Sequence, residues 1–175
     1  TGGSALFSTI RGKADGDVRK SNEYFTASVT GSIILALIIW AVIICFDRQL
    51  LLFFGAQDHT LTLAREYVRP VKAAIPFFLF NQMLAAYLRN DKNPARATGA
   101  VLAGGIFNIF GDYFFVFVCN MGAYGAGLAT AIGSTISFLA MLSHFFMKKN
   151  TLRLVRPERL LYKLKEITVT GFSTF

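Results

Sequence analysis

The residues of this sequence with the most chemistry to offer sit four apart in an oily stretch. Asn108 and Asp112 lie within "NIFGDYFFVF", and Asp112 is the only formally charged residue between Ala97 and Met147. On a helix, Gly104, Asn108 and Asp112 fall on one narrow stripe. A facing helix offers Thr130, Ser134 and Ser137 at one-face spacing, beside a stripe of Gly125, Ala129 and Gly133. Asn81 and Gln82 bring further oxygens from a third segment. A carboxylate, amides and hydroxyls are hard oxygen donors, a set suited to a proton or a sodium ion. An acid inside a membrane helix costs about 2.5–3.5 kcal/mol to insert, so Asp112 calls for a functional reason. Ser134 and Ser137 are read instead as helix glue, at about 0.6 kcal/mol per contact. No Cys/His cluster has metal-ligand spacing, and no Ser/His, Cys/His or paired-carboxylate arrangement is present, so the sequence does not read as an enzyme.

Composition says what kind of oil surrounds the acid. Of 175 residues 54% are hydrophobic and 16% charged, too few charges for the surface of a water-soluble domain. Tyr24–Phe46 runs 23 residues without a charge, enough to cross an apolar layer about 30 Å thick. Charge-free blocks recur at Ala73–Leu88, Ala97–Gly111 and Tyr113–Met147. The class is an all-α polytopic membrane protein.

The net charge of +8 follows topology and does not read as a nucleic-acid footprint. Lys and Arg number four over 11–20, three over 89–96 and seven over 148–165, against four over 48–72 and none over 119–125. With alternating helices that is 14 on one side of the membrane and four on the other, which predicts a cytoplasmic face for the first set. Cys45 and Cys119 are read as two lone thiols, and His59 and His144 as structural residues, one in an outer loop and one near a helix end.

Along the chain, residues 1–11 read as the last turns of a membrane helix that starts before this sequence. Crossings are expected over about 25–46, 70–88, 95–118 and 123–147, which places residues 1–147 in one transmembrane lobe. "FGAQDHTLTLAREYVRP" carries a helix start signal at Asp58 and predicts a short amphipathic helix ahead of the second full crossing. Pro76 removes the hydrogen bond to the carbonyl of Lys72 and predicts a kink. "RNDKNP" reads as a turn and "CNMGAYGAG" as a tight hairpin. Residues 148–175 read as a cytoplasmic linker with a helix on the inner leaflet. In it Leu160, Leu161, Leu164 and Ile167 share one face, Arg159, Lys163 and Lys165 lie largely elsewhere, and "TVTGFSTF" starts another membrane helix.

Four motifs in this order and spacing, "GGSALFSTIRGKADGD", "PFFLFNQMLAAYLRNDKNP", "VLAGGIFNIFGDYFFVF" and "GAYGAGLATAIG", resemble the multidrug and toxic compound extrusion (MATE) transporters, closest to their bacterial branch. The resemblance covers essentially the whole chain, from the end of the family's second helix to the start of its seventh. It implies part of the amino-terminal six-helix lobe of a twelve-helix transporter in the bacterial cytoplasmic membrane. Such transporters export small amphipathic, often cationic compounds against an inward flow of protons or sodium. The family's cation site implies roles for Asn108 and Asp112 on the fifth helix and Thr130 on the sixth. Asn81 on the fourth falls in line across a loop that can shift the register. A further acid on the first helix lies outside this sequence. Gln82, Phe77 and Phe114 are candidates for the substrate pathway.

The leading expectation is therefore secondary active drug antiport, with no cofactor beyond the coupling ion and no metal beyond a sodium at Asp112. Its partners are membrane lipid, drug-like substrates and the second lobe of the same chain. A lipid-linked oligosaccharide flippase of the same superfamily is the alternative within transport. Outside it stands a scaffold subunit in which Asp112 pairs with a partner's cation.

Overall fold

A computed structural model describes residues 2–13, 17–147 and 150–172. Residue 1, residues 14–16 near the end of the first motif, Lys148 and Lys149 of the basic cluster, and the final three residues lie outside them. The described residues form helices α1 (Gly2–Arg11), α2 (Val18–Phe53), α3 (Asp58–Asn90), α4 (Pro94–Asp112), α5 (Gly122–Leu142) and α6 (Leu160–Phe172). A π-helical turn, Tyr113–Val118, continues α4, and a 3-10 turn, Ser143–Phe146, ends α5. Four of these segments are long and apolar enough to cross a membrane: Val18–Phe53, His59–Asn90, Pro94–Val118 and Gly122–Phe146. Helices suit that setting because they satisfy every backbone polar group internally.

Several boundaries differ from expectation. The amphipathic helix and the crossing that follows it are one continuous element, α3, so His59 lies in a helix and not in a loop. The helix also runs unbroken through Pro70 and Pro76. The carbonyl of Lys72, which Pro76 deprives of its helical donor, accepts a 2.8 Å bond from the Trp40 indole N–H. A side chain from α2 thus supplies the missing bond. The helix expected to end at Phe46 continues to Phe53, with a local break at Phe46 (φ −122°, ψ 24°). There the Asp47 carboxylate takes the backbone N–H of Arg48 at 2.6 Å, competing with the helical ladder. Asp47 also pairs with Lys72 at 2.7 Å. Cys45 and Cys119 are free and exposed.

The chain forms two compact units, residues 1–34, 82–98 and 141–175, and residues 35–81 and 99–140. In the first unit Tyr87 packs edge-on against Phe7 and Phe25, with ring centroids 5.3 and 5.0 Å apart. Its buried hydroxyl donates to the carbonyl of Tyr24 and meets Ser28 at 2.7 Å, so the polar tip is satisfied within the core.

In the same unit α6 keeps Leu160, Leu164 and Ile167 part-buried and Arg159 and Lys165 exposed, as expected, and departs at two positions. Lys163 is buried and paired with Glu23, and Glu166 accepts from the Tyr24 hydroxyl, while Leu161, Val169 and Phe172 are exposed. The face expected to be apolar therefore includes an outward Leu161, and the expected polar face includes an inward Lys163. Partners on α2 account for the inward polar groups: Glu23 pairs with Lys163, and the Tyr24 hydroxyl donates to Glu166.

Candidate functional site

The second unit holds the oxygen-rich cluster. Small residues set the approach of α4 to α5. A methyl group at Gly104 would run into Gly133 and Ser137, and one at Gly133 would come within 2.6 Å of the Gly104 carbonyl. Gly111 sits against Ala129 in the same way. This close contact lets short side chains bond directly across helices. The Asn108 amide donates to the Thr130 hydroxyl at 3.2 Å, and Thr130 donates to the carbonyl of Ala126 at 3.0 Å.

A third helix reaches the same hydroxyl. Gly127 lets α5 touch the backbone of α3, where an added Cβ would overlap Tyr67 and Pro70. One turn along α5, the Tyr67 hydroxyl lies 3.1 Å from Thr130. In the sequence Tyr67 is one apolar position of the amphipathic stretch that starts at Asp58. Its phenol at helical spacing carried no signal of a partner 63 residues away. With one donor and two acceptors engaged, the Thr130 hydroxyl has no free lone pair in this arrangement.

Asp112 stands at the change from α to π geometry, an irregularity frequent at functional sites. Its Oδ1 is buried and has no hydrogen-bond partner among the described residues. Asn108 and Thr130 do not bond this carboxyl group here, because the Asn108 amide donates to the Thr130 hydroxyl instead. The Asn81 amide donates to Ser134 of α5, at 2.9 Å to the carbonyl and 3.2 Å to the hydroxyl. Its Oδ1 too is buried without a partner. Ser134, read as helix glue, positions that amide.

The pathway candidates are dispersed. Phe77 packs on Phe138 of α5 with centroids 5.1 Å apart. Phe114 is half-exposed in the π-helical turn beside Phe115. Gln82 is exposed and belongs to the first unit. Among the described residues no group of His, Cys, Asp and Glu is arranged to hold a metal ion.

Long apolar helices packed through small residues define a multi-pass membrane protein, and among its described residues an acid oxygen of Asp112 and the amide oxygen of Asn81 are buried without partners. The MatE family model matches residues 9–114, more than half of the chain, and the chain belongs to that family. Multidrug export protein MepA of Staphylococcus saprophyticus is 28% identical over 178 residues, which cover 99% of this chain and 39% of that protein. MepA of Staphylococcus aureus is 27% identical over 163 residues, 91% of this chain and 36% of that protein. The chain therefore spans about two fifths of the length of these relatives.

Solved structures agree on the fold. An inward-facing multidrug resistance MATE family transporter of the MOP superfamily superposes with a TM-score of 0.86 at 25% identity, over 98% of this chain and 39% of that one. A MOP superfamily transporter from Pyrococcus furiosus, whose reversed pocket polarity is described as suggesting a different function, gives 0.75 at 24% over 98% and 39%.

Proposed function

We propose that this chain contributes the cation-handling half-site of a secondary active exporter of small amphipathic compounds, coupled to protons or sodium. The observation that carries the reading is the Asp112 carboxylate oxygen, buried and unpaired at a helix irregularity. A buried acceptor without a donor is costly, and a proton or cation relieves that cost. Thr130, Asn108 and Tyr67 form a saturated neighbouring network that has to rearrange if it is to contribute oxygens to the ion. Such a rearrangement would let occupancy bias the packing of α4 against α5 between two states. The family membership and the export activity named for the relatives support the same reading. Topology is part of the proposal: residues 11–20, 89–96 and 148–165 face the cytoplasm, as their positive charge favours.

The test is efflux driven by an imposed proton or sodium gradient in proteoliposomes, with the full-length transporter and its Asp112→Asn variant at equal protein. The variant is expected to insert and fold, yet to lose gradient-driven export. Export at the wild-type rate would remove Asp112 from coupling and leave it a structural residue.

A further inference from the structure

Residues 151–157, between the end of α5 and α6, have no regular structure and make no backbone-to-backbone hydrogen bond among the described residues, yet they are held at nearly every step. Asn22 of α2 donates to the carbonyl of Thr151 at 3.2 Å and accepts from the N–H of Arg153 at 3.3 Å. Thr26, one turn on, accepts from the N–H of Val155 at 3.0 Å. Glu23 accepts from the N–H of Glu158 at 3.3 Å and pairs with Lys163. Leu152 is fully buried between the rungs.

The near end of the segment closes on a buried polar node. Asp91, in the turn between α3 and α4, accepts from Arg11 of α1, from the ring of His144 at 2.8 Å, and from both the hydroxyl and the backbone of Thr151. Arg11 also donates to the Thr151 carbonyl at 3.1 Å. At the far end α6 lies on α1 with backbone contact, since a methyl group on Gly2 would overlap Ile167 and Gly171.

We propose that residues 151–158 are a fastened strap that makes the connection between α5 and α6 a rigid arm, so that α6 moves with α1 and the first half of α2. The chemistry argues against a slack tether. Asn22, Glu23 and Asp91 are buried polar groups to which the strap or the helix it delivers supplies partners, and Lys163, buried on that helix, is the partner of Glu23. Lifting the strap would leave several buried polar and charged groups unpaired together, which makes release cooperative and costly. In the exporter proposed above, on which this part rests, whatever follows α6 would be driven through this arm during rocking between states.

The experiment is hydrogen exchange on the full-length transporter in lipid nanodiscs. The amides of Arg153, Val155 and Glu158 are expected to exchange as slowly as those of α2. Asn22→Ala and Thr26→Val should each speed the strap amides about tenfold, the net worth of one hydrogen bond, without altering α4. A second arm inserts two glycines after Pro157. A rigid arm predicts faster exchange across α6 and a several-fold loss of export, with α2 to α5 unchanged. Strap amides that exchange freely in the wild type, or an insertion that leaves both α6 exchange and export untouched, would overturn the proposal. If the wild type does not export, the exchange measurements alone decide, which separates failure of the strap from failure of the transport reading.

Discussion

Two carboxylates, Asp91 in the first unit and Asp112 in the second, are buried in the same chain to opposite ends. Asp91 accepts four hydrogen bonds from three side chains and one backbone N–H, and a guanidinium stands beside it. Asp112 has a buried oxygen with no partner. Burial alone would raise the Asp91 carboxyl, but hydrogen bonds from Thr151 and His144, with the charge of His144 added, hold it below its ordinary value. A saturated acid is committed to one structure. An unsatisfied one retains an affinity for something else, and that contrast separates a structural acid from a site more reliably than burial does.

The sharpest way to break this comparison is to remove Asp91. Asp91→Ala should destabilise the full-length protein by about 3–5 kcal/mol, since it strands Arg11 and His144 without their acceptor. Thermal unfolding in detergent would read it, and a loss under about 1 kcal/mol would mean that the node is not structural. The same acid makes a pH prediction. Because its folded value is depressed, its stabilisation is fully present above the ordinary value of 3.8 and disappears as pH falls through the lower folded value. The gap between wild type and Asp91→Asn should therefore close as pH falls below the ordinary value of 3.8.

Next in size is the contact that brings the second site together. Gly104→Val drives side-chain atoms into Gly133 and Ser137 and should cost about 1–3 kcal/mol by overpacking. It should also weaken the Asn108–Thr130 bond, which a double-mutant cycle of Gly104→Val with Thr130→Val would report as coupling. Tyr67→Phe comes below it, at about 1 kcal/mol for one hydrogen bond in the same unfolding assay.

Asp112→Asn should be the smallest in stability, within about 0.5 kcal/mol or slightly stabilising, since no partner is lost and an ionisable group leaves the apolar interior. A loss as large as that at Asp91 would collapse the distinction between the two acids.

Much of the fold was legible in one dimension. The charge-free blocks, the basic clusters between them and the "RNDKNP" turn mark the helices, because each membrane helix must satisfy its backbone and its apolar surround within its own sequence. Asp58 was legible as the helix start it proves to be, while Pro76, read as a kink, lies inside an unbroken helix. The Trp40 indole and the continuity of α3 come from tertiary packing that no local signal records. The stripe through Gly104, Asn108 and Asp112 was readable as a face, and glycine there as a close approach.

Which side chains meet on that face was not readable. Tyr67 joining Thr130, Asn81 meeting Ser134 and Lys163 turning inward to Glu23 all depend on the rotation and axial offset of one helix against another. Small-residue stripes permit many such offsets at similar energy, and the packing of the whole unit selects one. The sequence by itself determined that the chain crosses a membrane and buries an acid there. Only the tertiary structure decided that this acid is unpaired while Asp91 is saturated, because a hydrogen bond between helices needs ångström placement that periodicity does not encode.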